Sequence, residues 1–269
     1  MRKNILILSL LTWGIVACKK ELLPTEANIE APAITLTRVT KPVLFDFTST
    51  GCPGCGSWGG PTFTRIADKN KGSIVPIAVH IKYGDPMITA VSNEIAVNRT
   101  GPRYTPQLWV NGNNGVVLNN SSIDGNASVA KMDSNIAALI NQEPQMGVGV
   151  SSLINDELLS IRYATETYTD LEGEYSVAVY ILEDKLIFNQ SRAASNPYEH
   201  NYVIRAANNG AFGASMSSEH LRTSAQNDVT LDIDLDENWN RENLYAAVIV
   251  WKKDGENYSI VNANNNKIH

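Results

Sequence analysis

Hydrophobic and polar positions change their pattern near residue 144 of this chain. Before that point, short runs of consecutive apolar residues alternate with segments in which apolar residues recur every three or four positions. The runs predict buried strands at residues 43–47 and 74–81, and a hairpin of residues 107–110 with 115–118 that turns at Asn111-Gly112. The helical spacing predicts helices at residues 61–70, 87–97 and 129–141. Strands that alternate with helices predict an α/β domain.

After Pro144 the helical spacing disappears, and short runs rich in Val, Ile and Tyr take its place. Turn residues separate many of these runs, at the spacing of a β-sandwich. The predicted strands are residues 148–154, 158–163, 175–182, 186–189, 202–206, 229–235, 244–251 and 258–262. We therefore predict an α/β domain at residues 36–144 and an all-β sandwich domain at residues 145–269, and we expect each to fold alone.

The first residues resemble a bacterial secretion signal with a lipid attachment site. Two positive residues precede an apolar stretch at residues 5–16, which is too short for a comfortable membrane span. The stretch leads to Ile-Val-Ala-Cys, similar to the lipobox whose cysteine, here Cys18, receives the lipid; the alternative is an ordinary signal with a chance cysteine. We expect residues 1–17 to be removed and residues 18–35 to form a polar tether. The protein would then be an outer membrane lipoprotein that faces the periplasm or the cell surface.

Composition limits the classes of partner. The chain has 269 residues, a net charge of -6 and 43% hydrophobic residues, which is enough for a substantial core. An acidic chain without a basic run is a poor candidate for binding nucleic acid, because that affinity depends on neutralising phosphates. We expect contacts with the membrane through the lipid and with other proteins, whereas the oligomeric state stays open.

The three cysteines give the chain its main chemical feature. One is Cys18, and the other two, Cys52 and Cys55, form a CxxC with Pro and Gly between them. Export would place this pair where disulfides persist. A zinc site is a weak alternative, because structural zinc takes four ligands and neither a second CxxC nor metal-binding histidine spacing is present. We expect no metal and no cofactor, which leaves a redox-active dithiol or a structural disulfide.

The surroundings of the pair favour redox chemistry. A thiolate at the start of a helix is stabilised by unpaired backbone N–H groups and the helix dipole. We therefore expect Cys52 to be the exposed nucleophile and Cys55 to be the buried resolving thiol. Asp46 lies in the predicted strand six positions before Cys52; buried there it would have a raised pKa and would exchange a proton with Cys55. The alternative is an acid on the solvent face of that strand.

A resemblance to the thioredoxin fold covers residues 36–143. Asp46, the Cys52–Cys55 motif and Thr105-Pro106 resemble that fold's buried aspartate, its CxxC and its threonine followed by a cis-proline. The resemblance implies that Thr105 and Pro106 dock an incoming peptide beside the dithiol. Trp58, just beyond the dithiol, is a further candidate for substrate contact. Glycines that follow the second cysteine depart from the thioredoxin pattern and predict a looser first helical turn.

The whole chain resembles a narrower group, the 28-kilodalton outer-membrane protein family of Bacteroidetes lipoproteins. The lipobox and residues 49–58, 80–87, 105–112 and 200–205 carry this resemblance. It implies a thioredoxin-like domain followed by a C-terminal β domain.

Two functions follow from these observations. One is a membrane-anchored thiol–disulfide oxidoreductase that acts on protein thiols and disulfides through Cys52, Cys55 and Asp46. The other is a non-enzymatic lipoprotein that binds a partner or ligand and holds Cys52–Cys55 as a structural disulfide.

Overall fold

The computed structural model describes residues 31–82, 84–155 and 158–269. The predicted signal peptide and the lipid site at Cys18 lie outside the described residues. Among the residues described, no helix is both long and apolar enough to cross a membrane.

The first half of the chain contains the predicted strands and helices. The strands are β1 (Val43–Thr48), β2 (Val75–His80), β3 (Gln107–Val110), β4 (Asn113–Asn114), β5 (Leu118–Asn119) and β6 (Ser122–Ile123). The helices are α1 (Gly60–Lys69), α2 (Ala90–Val97) and α3 (Gly125–Ile140), and a short π-helix at Cys55–Gly59 runs directly into α1.

Side-chain caps explain where two of these helices begin. Helix α2 starts later than predicted because Thr89 and Ser92 form a capping box at its first turn. Helix α3 starts earlier than predicted because the Asp124 carboxylate accepts the Ala127 N–H at 2.9 Å.

The hairpin after β3 differs from its prediction. The turn at Asn111-Gly112 is present, with Asn111 at φ 50°, but the returning strand is Asn113–Asn114 rather than residues 115–118. The two-residue turn brings Asn113 directly opposite Val110, so pairing starts at once.

The second half is rich in β-structure, as predicted. Its strands are β7 (Met146–Asn155), β8 (Leu158–Thr167), β9 (Glu174–Glu183), β10 (Leu186–Phe188), β11 (Tyr198–His200), β12 (Val203–Asn208), β13 (Ala214–Ser215), β14 (Gln226–Asp234), β15 (Leu244–Asp254) and β16 (Asn257–Lys267). The sequence pattern misses β11 and β13, which are short.

One mixed sheet runs through both halves of the molecule. Within the described residues, nine strands form it in the order β16-β15-β9-β12-β2-β1-β3-β4, with β13 beside β9. Strand β12 of the second half lies parallel to β2 of the first, and the Ala78 N–H donates to the Tyr202 carbonyl at 2.8 Å. Strands from both sides of the predicted boundary at residue 144 therefore belong to the same sheet.

Hydrophobic residues pack on both faces of this sheet, so the core has several layers. On β1, Phe45 and Phe47 pack with Tyr180 and Trp251 of the second half, whereas Leu44 packs on the opposite face with α1 and α3. A second sheet, which is antiparallel and has the strand order β14-β8-β7, covers one face of β9 and β15. These packed sheets form the two-layered β-structure of the second half, and one of the two layers continues into the first half.

The end of the predicted tether is packed against the fold. The side chains of Ile34 and Leu36 lie where a side chain at Gly149 of β7 would otherwise be. The Ser151 hydroxyl donates to the Pro32 carbonyl. Apolar residues at this point of the chain thus fix residues 31–36 on strand β7.

Candidate functional site: a covered disulfide at the end of the first strand

Cys52 and Cys55 form a disulfide at the start of a helical segment. Their Cα atoms are 5.2 Å apart. The Cys52 N–H donates to the Ser49 carbonyl at 3.0 Å, and the Cys55 N–H points back to the Cys52 sulfur at 3.2 Å. An N–H directed at this sulfur would favour its thiolate form in the reduced protein.

Both cysteines are buried, so the expected exposure of Cys52 is wrong. Cys52 is 4% exposed and Cys55 is 1% exposed. A loop between β10 and β11, residues 189–197, packs on the turn that carries them; we call it the capping loop. It belongs to the second half of the chain, which is why the local sequence around the cysteines does not predict it.

Gln190 fixes the capping loop on the cysteine turn. Its side-chain amide donates to the carbonyl oxygens of Ser49 at 3.2 Å and Cys52 at 3.1 Å. The Ser191 N–H donates to the Thr50 carbonyl at 2.8 Å. Asn196 in turn orders the loop, since it accepts the Gln190 N–H at 2.8 Å and donates to the Gln190 carbonyl at 3.0 Å.

Glycines make this close approach possible. A side chain at Gly56 would collide with the Ser191 carbonyl and lie 2.8 Å from the Ala193 nitrogen. A side chain at Gly60 would lie 2.8 Å from the Tyr198 hydroxyl. Gly56 therefore provides room for the capping loop, and Gly60 provides room for Tyr198 of β11.

The Thr105–Pro106 peptide bond is cis, and Pro106 lies against the cysteine turn. A side chain at Gly54 would be 3.0 Å from the Pro106 Cδ, and one at Gly59 would be 2.6 Å from its Cβ. The structure therefore brings Pro106 together with the disulfide. The Thr105 hydroxyl is buried and has no hydrogen-bond partner among the described residues.

Trp58 lies against the start of α3. Its indole nitrogen would be 2.8 Å from a side chain at Gly125, the first residue of that helix. Trp58 also lines a surface groove with Pro61 and Arg65. It lies on the same helical segment as the disulfide, but its packing contacts are with α3.

Asp46 is a buried carboxyl in the strand that leads to the disulfide. It is 3% exposed and lies between Ala78 of β2 and Leu108 of β3. One carboxyl oxygen has no hydrogen-bond partner among the described residues. Burial raises its pKa to about 7. Its proton is therefore exchangeable near neutral pH.

His80 and Asp85 form a buried pair that holds the segment before Cys52. The His80 Nδ1 lies 2.8 Å from the Asp85 carboxylate, and the same carboxylate oxygen accepts the Thr50 N–H at 2.8 Å. Burial alone would raise the pKa of Asp85. The hydrogen bond and charge of His80, with the N–H groups of Met87 and Thr50, lower it to about 2. Asp85 thus stays ionised and anchors Thr50.

Two aromatic residues of β11, Tyr198 and His200, lie next to the buried pair of His80 and Asp85. The His200 ring lies 5.3 Å from that of His80 and 4.9 Å from that of Tyr198. Burial, followed by the charge of His80, lowers the pKa of His200 to about 4. The pKa of Tyr198 is raised by burial and, to a smaller extent, by the charges of Asp46 and Glu199.

Sequence reasoning alone misses Gln190, Asp85 and Tyr198. The glycines at positions 56 and 60 are the signal that points to a close neighbour, because a glycine inside a helical segment often marks such an approach.

Residues 103–269 match the family described as outer membrane protein Omp28. HBP35 of Porphyromonas gingivalis shares 15% identity over 87% of this chain and 77% of its own, with a TM-score of 0.68. A domain of the outer membrane lipoprotein Omp28 from the same organism covers 47% of this chain and 89% of its own, at 16% identity and a TM-score of 0.33. The search of curated proteins found no match.

Fold and site together define a β-rich protein whose mixed sheet carries a CxxC disulfide at the end of one strand. The chain belongs to the Omp28 outer membrane protein family. This confirms the resemblance drawn from the sequence and the expected location at the outer membrane. The likeness to HBP35 shows a shared fold.

Proposed function

We propose that this protein is a membrane-anchored thiol–disulfide oxidoreductase that acts on exported proteins through Cys52 and Cys55. The observation that carries the proposal is Asp46, a buried carboxyl with a pKa of about 7 and an unpartnered oxygen. Burying such a group costs stability. A disulfide that only holds a helix in place has no use for it, whereas a dithiol needs a nearby proton acceptor.

The arrangement around β1 supports a thioredoxin-like unit. Strand β1 is parallel to β2 and antiparallel to β3, and β4 follows at the edge. The CxxC follows β1, and the cis-proline precedes β3. In this unit Cys52 is the attacking thiol, Cys55 is the resolving thiol, and Thr105 and Pro106 dock the substrate backbone.

The exchange reaction balances from the disulfide form. A substrate thiolate attacks the Cys52 sulfur, the Cys52–Cys55 bond breaks, and Cys55 leaves as a thiolate that takes a proton from Asp46. A second substrate thiolate then attacks the substrate sulfur of the mixed disulfide. The bond between this sulfur and Cys52 breaks, and Cys52 leaves as a thiolate. The substrate loses two electrons and gains a disulfide, while the protein becomes a dithiol. Reduction of a substrate disulfide is the reverse sequence.

The capping loop determines when this reaction takes place. Its contacts with Thr50 and Cys52 exclude a protein substrate from Cys52. A substrate must displace residues 189–197 before it reaches the sulfur. Because the capping loop must be displaced first, the protein would select partners that bind both the cysteine turn and the loop.

A second function is supported by the same burial. With Cys52 at 4% exposure and the loop in place, the disulfide would be a stable staple of a non-enzymatic lipoprotein that binds a partner or ligand. In that case Asp46 and the cis-proline would be inherited features of the fold without a redox role.

The reduction potential of the full mature chain separates these functions. Equilibration in dithiothreitol buffers of defined potential, followed by alkylation of free thiols, gives its value. The oxidoreductase predicts a potential above about -300 mV, and a structural disulfide predicts one below it.

Anchoring through Cys18 is part of the proposal and has its own test. Replacement of Cys18 by Ser should leave unprocessed precursor or release soluble protein from the membrane fraction. Normal processing and unchanged membrane association in this variant would contradict it.

A further inference from the structure

A second candidate site lies on the face of the sheet opposite Asp46. A cavity of about 290 Å³ opens between β1, β3, the end of α2 and the β15–β16 hairpin. Phe45 and Phe47 line it, whereas the alternate residue Asp46 points to the other face. The cavity is therefore separate from the disulfide, and nothing argued about it depends on redox activity.

Arg99 is the unusual residue of this cavity. It is 6% exposed, and its guanidinium lies 4.1 Å above the Phe47 ring. Its Nε donates to the Ala96 carbonyl at 3.1 Å, and its Nη1 donates to the Tyr104 carbonyl and to the Gln107 side chain. These acceptors are neutral, and they hold the guanidinium in one orientation.

The positive charge of Arg99 has no counter-ion in the described part of the chain. None of the ion pairs found there includes Arg99, and its Nη2 donates to none of the described residues. Burial and, to a smaller extent, the charge of Arg103 together lower its pKa to about 10. Because buried charges in folded proteins are normally paired, this site has a place for an anion.

The walls of the cavity indicate what kind of group would fit beside an anion bound to Arg99. Phe45, Phe47, Trp109 and Trp251 are each at least 95% buried and line it with aromatic surface. Such walls favour a flat apolar body. At the mouth, two hydrogen bonds of 2.8 Å between Asn98 and the Tyr258 backbone join α2 to β16 and fix the shape of the opening.

We propose that this cavity binds a small monocarboxylate with a flat apolar body, whose carboxylate pairs with Arg99 while its body packs on the aromatic walls. A volume of about 290 Å³ suits a ligand on the order of ten to fifteen non-hydrogen atoms. Asp254 at the rim disfavours ligands that carry a second negative charge at that end.

The test is a calorimetric titration of the full mature chain with 2-naphthoate and with its neutral counterpart 2-naphthamide. We expect saturable binding of the acid with one site per chain, and at least tenfold weaker binding of the amide. Equal binding of both compounds overturns the role of Arg99, and no binding of the acid at millimolar concentration overturns the site.

Matched variants locate the binding. Replacement of Arg99 by Gln should weaken 2-naphthoate binding at least tenfold, whereas Arg65→Gln, at an exposed arginine of α1 outside the cavity lining, should change it less than threefold. Asp254→Asn should strengthen binding slightly at low salt. Ser259→Trp fills the mouth from an exposed position and should abolish binding, so the test holds even where Arg99→Gln does not fold. Unchanged affinity in Ser259→Trp would place the ligand elsewhere and overturn the proposal.

Discussion

The side-chain amide of Gln190 donates a hydrogen bond to the carbonyl oxygen of Cys52 at 3.1 Å, across 138 positions of sequence. A residue of the β-rich half thus contacts the turn that carries the disulfide in the α/β half. Because the same amide also bonds Ser49, one side chain holds both ends of the turn before the disulfide. The turn that carries Cys52 is therefore held from the opposite half of the molecule.

Replacement of Gln190 by Ala should expose the disulfide. The variant loses two hydrogen bonds, each worth about 1 kcal/mol, so the rate of reduction by dithiothreitol should rise roughly five- to thirtyfold. Gln226→Ala, at an exposed position of β14, is the matched control and should reduce at the wild-type rate. Equal rates for both variants would show that the capping loop does not limit access.

Replacement of Gly56 by Ala should destabilise the oxidised protein by about 1 to 3 kcal/mol, because the added methyl group meets the backbone of the capping loop. Gly51→Ala has open space around it and no special backbone conformation, so it should be nearly neutral. Urea unfolding of the two variants measures the difference. Similar midpoints would mean that the loop does not rest on Gly56 in solution.

Asp46 should make stability depend on pH. In the folded protein its pKa is raised to about 7, above the value of about 3.9 in the unfolded chain. Between these values the folded state holds more protons, so this group lowers stability as pH rises from about 4 to 7, by on the order of 2 to 4 kcal/mol in all. Above pH 7 its effect is constant.

Comparison of Asp46→Asn with wild type isolates this contribution. The difference in unfolding free energy between the two proteins should change between pH 4 and 7 and then level off. Asp232→Asn, on the exposed face of β14, is the control and should lack this slope. A constant difference over the whole range for Asp46→Asn would contradict a raised pKa.

The shared sheet changes what we expect of an isolated first half. The sequence pattern leads to the expectation that residues 36–144 fold alone. In the structure Phe45 and Phe47 pack against Tyr180 and Trp251, and β2 pairs with β12. A fragment of residues 36–144 would expose this surface, so we expect it to melt well below the full chain or to lack a cooperative transition. A fragment melt equal to that of the full chain would contradict this.

Local patterns explain why much of the site could be predicted from the sequence. The apolar run at residues 43–47 predicts β1 and the burial of Asp46, because a charged residue inside such a run has covered neighbours on both sides. The resemblance around Thr105-Pro106 predicts the cis bond beside the cysteines. The burial of Asp46 and the cis bond itself depend on short local stretches, whereas the place of Pro106 beside the cysteines follows from the resemblance to a known fold.

The capping loop could not be predicted in this way, because its role depends on tertiary packing. Gln190 is a polar residue in a loop, and its own neighbours carry no sign of a contact with Cys52. The glycines at positions 56 and 60 are more readily taken for weak points of a helix than for the contact surface they form. The expectation of an exposed Cys52 is wrong for this reason.

The measurement that tests the central claim most directly is the trapping of substrates by Cys55→Ser in membranes of the native host. With no resolving thiol, Cys52 should accumulate mixed disulfides with exported proteins, visible as reducible high-mass bands and absent from Cys52→Ser. The account predicts that Gln190→Ala combined with Cys55→Ser gives more of these adducts, since the loop no longer covers the sulfur. An absence of adducts in both the single and the combined variant, with Cys52 reacting with iodoacetamide in denaturant, would contradict a redox function.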